Sequence, residues 1–169
     1  MGAWDGIPTA ETDHEAGEAG EMLQVVSFKL GAEEFAVDIL LVQEINRIVD
    51  ITPVPKAPTF VEGVINLRGK IVPILDLRKR FGFPDADTTD QSRIIVVDVQ
   101  DRVLGLVVDS VSEVLQIPAH ILEPPPSLVA GVSASYIKGG GKIEDRLLIL
   151  LDLGKVLGEQ ATEGGTGGT

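Results

Sequence analysis

The sequence predicts an all-β protein: two five-stranded β-barrels packed side by side, with short helices at the barrel ends. Three observations carry this. Apolar residues recur with a period of two in short runs rich in Val and Ile, as half-buried pleated strands require. Gly, Pro, Asn and Asp separate the runs and supply the turns. The run 23–45 also recurs, without a gap, 69 positions later at 92–114. Closing short strands into small barrels removes the exposed edges that invite aggregation.

The elements follow in order. LQVVSFKL at 23–30 alternates around Val25, Phe28 and Leu30, and Gly31 supplies a turn. Phe35, Val37 and Ile39 continue the period of two, and VQEINRI at 42–48 extends it. Pro53, Pro55 and Pro58 then exclude a central strand and mark a connection. Further strands are expected at 64–67, 71–75, 93–99, 103–108, 113–117, 136–138 and 147–151. Asp76 caps a short helix over 77–81 with Gly82 after it, and Asp152 caps 153–157 with Gly158 after it. An Asp at the start accepts from free amides, and a Gly at the end takes the left-handed conformation at little cost.

The 69-residue shift lays Val25, Val26, Phe28 and Leu30 onto Ile94, Ile95, Val97 and Val99, and Glu44 onto Glu113. Ile74-Leu75-Asp76-Leu77 matches Leu150-Leu151-Asp152-Leu153. The halves therefore read as copies of one β unit, each ending in the Asp-capped turn. Two barrels side by side leave a groove between them, which is where a partner is expected.

Composition bounds the function. The 169 residues contain no cysteine, which fits a reducing cytoplasm and excludes thiolate metal sites and thiol catalysis. No basic residue precedes Lys29, so no signal peptide is read, and no apolar run approaches the ~18 residues of a membrane helix. The formal charge is −12, but residues 1–22 hold six acids and no base, and residues 159–169 hold two acids and no base. The body, 23–158, is mildly acidic, which argues against nucleic-acid or anionic-lipid partners. Residues 1–21 are read as a disordered acidic tail and 159–169 as a flexible polar one, because neither can bury enough apolar surface to offset its ordering entropy. Trp4 and His14 fall in the first tail.

Candidates for chemistry are few. His120, beside Pro118, belongs to no cluster at metal-ligand spacing. The run Lys138-Gly139-Gly140-Gly141-Lys142 joins two predicted strands, so it reads as a hairpin turn; a phosphate cradle leads into a helix. Pro124-Pro125-Pro126 reads as a stiff linker, and Arg78, Lys79 and Arg80 as a solvated face near a helix C-terminus. Asn66 and Gly69 are turn residues, and such a turn pushes Arg68 outward.

Gly63–Arg78, GVINLRGKIVPILDLR, resembles the signature of the CheW family, G-V-x-N-L-R-G-x-I-x-P-I-x-D-L-R. AVDILLVQEI at 36–45 is similar to the family's Y-x-I-D-I-x-x-V-x-E-I segment, with Phe35 in the aromatic's place. RVLGLVVDSVSEVLQI at 102–117 resembles the second-barrel hairpin, and DRLLILLDLGKVL at 145–157 the closing segment. The resemblance covers about residues 23–157. It implies two SH3-like barrels, interleaved within one domain over 22–158, and no enzymatic activity or cofactor. It also implies a cytoplasmic chemotaxis adaptor, recruited to membrane-associated receptor arrays. Such an adaptor binds the regulatory domain of the histidine kinase CheA and the cytoplasmic tips of chemoreceptors. The family's receptor-binding positions carry over onto Val42, Glu44, Gly63, Asn66 and Arg68, and an apolar kinase-contact position onto Leu128. The alternatives are an adaptor of another chemosensory pathway and, in a different class, a small-ligand sensor using Gly139–Gly141.

Overall fold

A computed structural model describes residues 21–125, 128–129 and 131–164; for 128–129 and 159–164 it describes the backbone alone. Twelve strands are present among the described residues. In the first half they are β1 (Met22–Leu30), β2 (Glu33–Asp38), β3 (Val42–Arg47), β4 (Val61–Leu67) and β5 (Lys70–Asp76). The second half has β6 (Arg93–Val99), β7 (Arg102–Val108) and β8 (Ser110–Pro118). A two-residue pair follows, β9 (Leu128–Val129) and β10 (Val132–Ser133), and then β11 (Ile137–Ile143) and β12 (Arg146–Leu151). Helix α1 (Leu77–Phe81) follows β5, and α2 (Leu153–Gly164) follows β12. The expected runs overlap every strand of the two barrels, although 136–138 catches only the start of β11; β9 and β10 are additions.

The strands form two five-stranded sheets, in the orders β11-β12-β2-β1-β8 and β3-β6-β7-β5-β4. Under the internal repeat β1, β2, β3, β4 and β5 correspond to β6, β7, β8, β11 and β12, and this correspondence turns one sheet into the other. Each sheet takes two strands from one half of the chain and three from the other. The halves are copies, but neither half is a barrel. The exchange is sealed by one parallel pair per sheet, β2 with β12 (Phe35 opposite Ile149) and β7 with β5 (Leu106 opposite Leu75).

Both sheets close at equivalent places. Past β3, Thr52 exchanges two backbone hydrogen bonds of 2.9 and 2.8 Å with Val64 of β4; past β8, Glu123 does the same with Gly140 of β11 at 3.0 Å each. Closure explains the glycines. A Cβ on Gly63 would lie 2.1 Å from the Thr52 oxygen, and one on Gly139 would lie 3.1 Å from the Glu123 oxygen. The glycine run 139–141 is therefore buried mid-strand in β11 and is not the expected hairpin turn. The turn falls at Glu144-Asp145, both with positive φ.

The central strands β1 and β6 carry four consecutive buried residues, Val25–Phe28 and Ile94–Val97. On β6, Ile94 and Val96 face the core of the second barrel, with Ile65, Val72 and Ile74. Ile95 and Val97 join a larger core with Phe28, Phe35 and Leu148 of the first barrel. Where a groove between the barrels was expected, continuous apolar packing glues them together. The reason is a strand with two apolar faces, which must bury both.

Both helix caps form as expected. Asp76 accepts from the Arg78 and Lys79 amides at 2.9 and 3.3 Å, and Gly82 closes α1 at φ +79°. Asp152 accepts from the Lys155 amide at 3.2 Å. The backbone kinks at Gly158 and then resumes helical geometry to Gly164, seven residues beyond the expected end at Leu157. The basic cluster of α1 is not a solvated face. Arg78 forks onto Asp109, and Lys79 pairs with Glu62 at 2.8 Å. Arg80 lies 4.7 Å over the Phe60 ring and 5.1 Å over Tyr136, and donates to the Val156 carbonyl at 2.6 Å. A five-residue helix lying between the barrels has no outward side to spare.

Candidate functional site

The candidate residues with described side chains all belong to the second barrel, where β3 and β4, the two ends of its sheet, meet on closure. β3 decides which side chains share a face. Val42 pairs with Val97 and Glu44 with Val96, so Gln43 is an extra residue, a bulge. Directly paired residues share a face of an antiparallel sheet, and Val96 and Val97 point oppositely. Val42 therefore faces the inter-barrel core and is half-buried there, while Glu44 faces the other way. A strict period of two would have placed Val42 and Glu44 together.

Arg68 meets Glu44 across the seam. It sits in the β4–β5 turn with Gly69 at φ +52° and +86°, two consecutive positive values that suit a right-twisted two-residue hairpin. The turn is fastened by Asn66, whose Oδ1 accepts from the Gly69 amide at 2.9 Å. This presents the guanidinium to solvent, where both of its terminal nitrogens bond the two Glu44 carboxylate oxygens. The Arg68 side chain is 72% exposed against 24% for Glu44, so the carboxylate is the anchored partner. Hydrogen bonding from Arg68 holds the Glu44 carboxyl below its ordinary value, and the same bond raises Arg68.

The remaining candidates play different parts. Gly63 is buried beneath Thr52, at the closure of the barrel. The backbone of Leu128 pairs with Ser133, and its side chain lies outside the described residues. The structure thus brings together Glu44 and Arg68, with Asn66 supporting the turn. Val42 and Gly63 stand apart from that pair. Sequence reading missed the clamps of α1, for which the only signal was three consecutive bases on a helix too short to solvate them.

Among the described residues no group of His, Asp or Glu is placed to hold a metal ion, and no helix is long and apolar enough to cross a membrane. A cleft of about 520 Å³ opens beside α1, lined by Ile51, Glu62, Asp76, Lys79 and Asp85–Thr88. Its carboxylates repel phosphate, and it does not include Gly139–Gly141.

Comparison with known proteins fits this picture. The family model described as a CheW-like domain matches residues 24–161. The chain is 40% identical over 144 residues to the chemotaxis protein CheW of Klebsiella aerogenes, covering 84% of this chain and 87% of that one. It is 38% identical over 140 residues to CheW of Rhizobium meliloti, covering 83% and 90%. A crystal structure of the scaffolding protein TtCheW from Thermoanaerobacter tengcongensis aligns with a TM-score of 0.74 at 39% identity, over 78% of this chain and 90% of that one. The strand-exchanged pair of SH3-like barrels, the family model and the relatives agree: this chain belongs to the CheW family of chemotaxis scaffold proteins.

Proposed function

We propose that this protein couples chemoreceptors to the histidine kinase CheA, as an adaptor with no chemistry of its own, at the cytoplasmic face of receptor arrays. The observation that carries this reading is the Glu44–Arg68 pair. It is a bidentate pair with its guanidinium exposed on a tight hairpin turn, in the segment that resembles the family's receptor-binding motif. An Arg fork suits a carboxylate or the carbonyls of a helical hairpin. Holding receptor and kinase on one body raises the effective concentration of each for the other.

The test is binding of Arg68→Ala to a receptor tip fragment and, separately, to the CheA regulatory domain. Receptor affinity should fall by roughly tenfold or more, as at other interface arginines. Kinase affinity and the melting temperature should stay near wild type, since the side chain is mostly exposed. Unchanged receptor affinity would remove the pair from the interface. Loss of both affinities with an unfolded barrel would make Arg68 a structural residue.

A further inference from the structure

Among the described strands of the two barrels, the chain crosses from one barrel to the other twice. β2 leads into β3 through the turn Ile39–Leu41, and β7 leads into β8 through one residue, Asp109. The internal repeat relates these crossings, because Leu40 and Asp109 are 69 positions apart. They are held very differently. Leu40 is 86% exposed, and its turn is fastened by the Asp38 carboxylate accepting from the Leu40 amide at 2.9 Å.

Asp109 is clamped from both barrels. Arg78 of α1, behind β5 of the second barrel, donates to it through Nε at 2.9 Å and Nη2 at 2.7 Å. The Gly31 amide, in the β1–β2 turn of the first barrel, donates to the same carboxylate at 2.7 Å. The Asp109 amide donates to the Lys29 carbonyl at 3.0 Å, and the last Arg78 nitrogen reaches the Pro84 carbonyl at 2.9 Å. The pair is largely covered, with side-chain exposures of 17% and 33%. On α2, the position corresponding to Arg78 is Gly154, so the other crossing has no such fork.

The two holding forces differ in kind. Apolar packing between the barrels is non-directional. A planar guanidinium making two parallel bonds to one carboxylate fixes direction as well as distance. We propose that Arg78, Asp109 and the Gly31 amide form a latch that sets the relative orientation of the two barrels. The orientation then spaces the surfaces by which the adaptor holds its partners, a consequence that rests on the adaptor reading above. Arg78 and Asp109 are positioning residues here and need touch neither partner.

The chain has no cysteine, so Arg102→Cys on the second barrel and Lys138→Cys on the first give a spin-label pair across the two bodies. Both sites are exposed. Into that background go Asp109→Asn, which keeps the shape and loses the charge, and Arg78→Lys, which keeps the charge and loses the fork. In the free protein each variant should broaden or shift the inter-label distance distribution. Each should also speed hydrogen exchange of the Gly31 amide by about tenfold or more, as when a local clamp opens. Assembly of the ternary complex with a receptor fragment and the CheA regulatory domain should weaken while each binary affinity persists. If Asp109→Asn does not fold, Arg78→Lys carries the test. An unchanged distance distribution overturns the latch even if the melting temperature falls, since a merely local stabiliser behaves that way. A changed distribution with undiminished ternary assembly overturns the link to coupling. Failure of the adaptor reading shows separately, as absent binary binding by the wild type, and leaves the distance result standing.

Discussion

Replacing Gly63 by alanine separates a contact role from an architectural one. Gly63 has φ +149°, where only glycine is at ease, and an added Cβ would lie 2.1 Å from the Thr52 oxygen and 2.9 Å from the Ile51 Cγ2. Real Cβ atoms do not approach backbone so closely, so Thr52 must move. Its two hydrogen bonds to Val64, which close the second barrel, must then lengthen or break. Backbone strain of this kind costs about 1–3 kcal/mol, and each lost hydrogen bond about 0.5–1.5 kcal/mol net. The total is roughly 2–6 kcal/mol, a large part of a typical ~5–15 kcal/mol. At ~3 °C per kcal/mol the melting temperature should fall by roughly 6–18 °C. Gly69→Ala is the control: its φ is +86° but nothing lies within 4 Å, so only the strain applies. Both variants should be followed by thermal and urea denaturation, alongside receptor binding. A Gly63→Ala protein as stable as wild type that nonetheless loses receptor binding would refute the reasoning and make Gly63 a contact residue.

Phe28 is fully buried between the sheets, so Phe28→Ala should cost ~3–5 kcal/mol in urea denaturation. A loss under 1 kcal/mol would mean the core is not packed there. Asp76 has its carboxyl raised, chiefly by burial and then by Glu62, against the bonds from Lys79 and Arg78 that lower it. A raised carboxyl binds its proton more tightly when folded, so its contribution to stability declines as pH rises above the unfolded value of ~3.9. Asp76→Asn keeps the helix cap and removes that decline, so it should be at least as stable as wild type at pH 7. Asp76→Ala should lose ~1 kcal/mol with the cap, and equal behaviour of the two would rule out the capping account. At the β6–β7 turn Gln100 and Asp101 both have positive φ with no glycine, so Asp101→Gly should stabilise by ~0.5–1 kcal/mol in thermal melts.

The sequence by itself determined what depends on near neighbours. Alternation located the barrel strands because a half-buried strand shows one face to water whatever covers the other. Asp76, Gly82 and Asp152 marked the helix ends because a cap is satisfied within four residues. The turn at Asn66–Gly69 and the outward Arg68 were legible for the same reason. Tertiary structure alone decided everything that depends on which distant segment supplies the partner. Alternation says that a face is buried but not against what, so the exchange of strands between halves lies outside local pattern. The bulge at Gln43 reversed the faces of Val42 and Glu44 because register is set by the pairing with β6, not by β3. Gly139–Gly141 looked like a turn until the segment beyond β8 closed over it, and three bases looked solvated until Asp109, Glu62 and Val156 arrived from elsewhere in the chain. Glycine and arginine report locally on backbone freedom and charge. Whether that freedom makes a turn or a close approach, and whether that charge meets water or a carboxylate, is settled only when the barrels close.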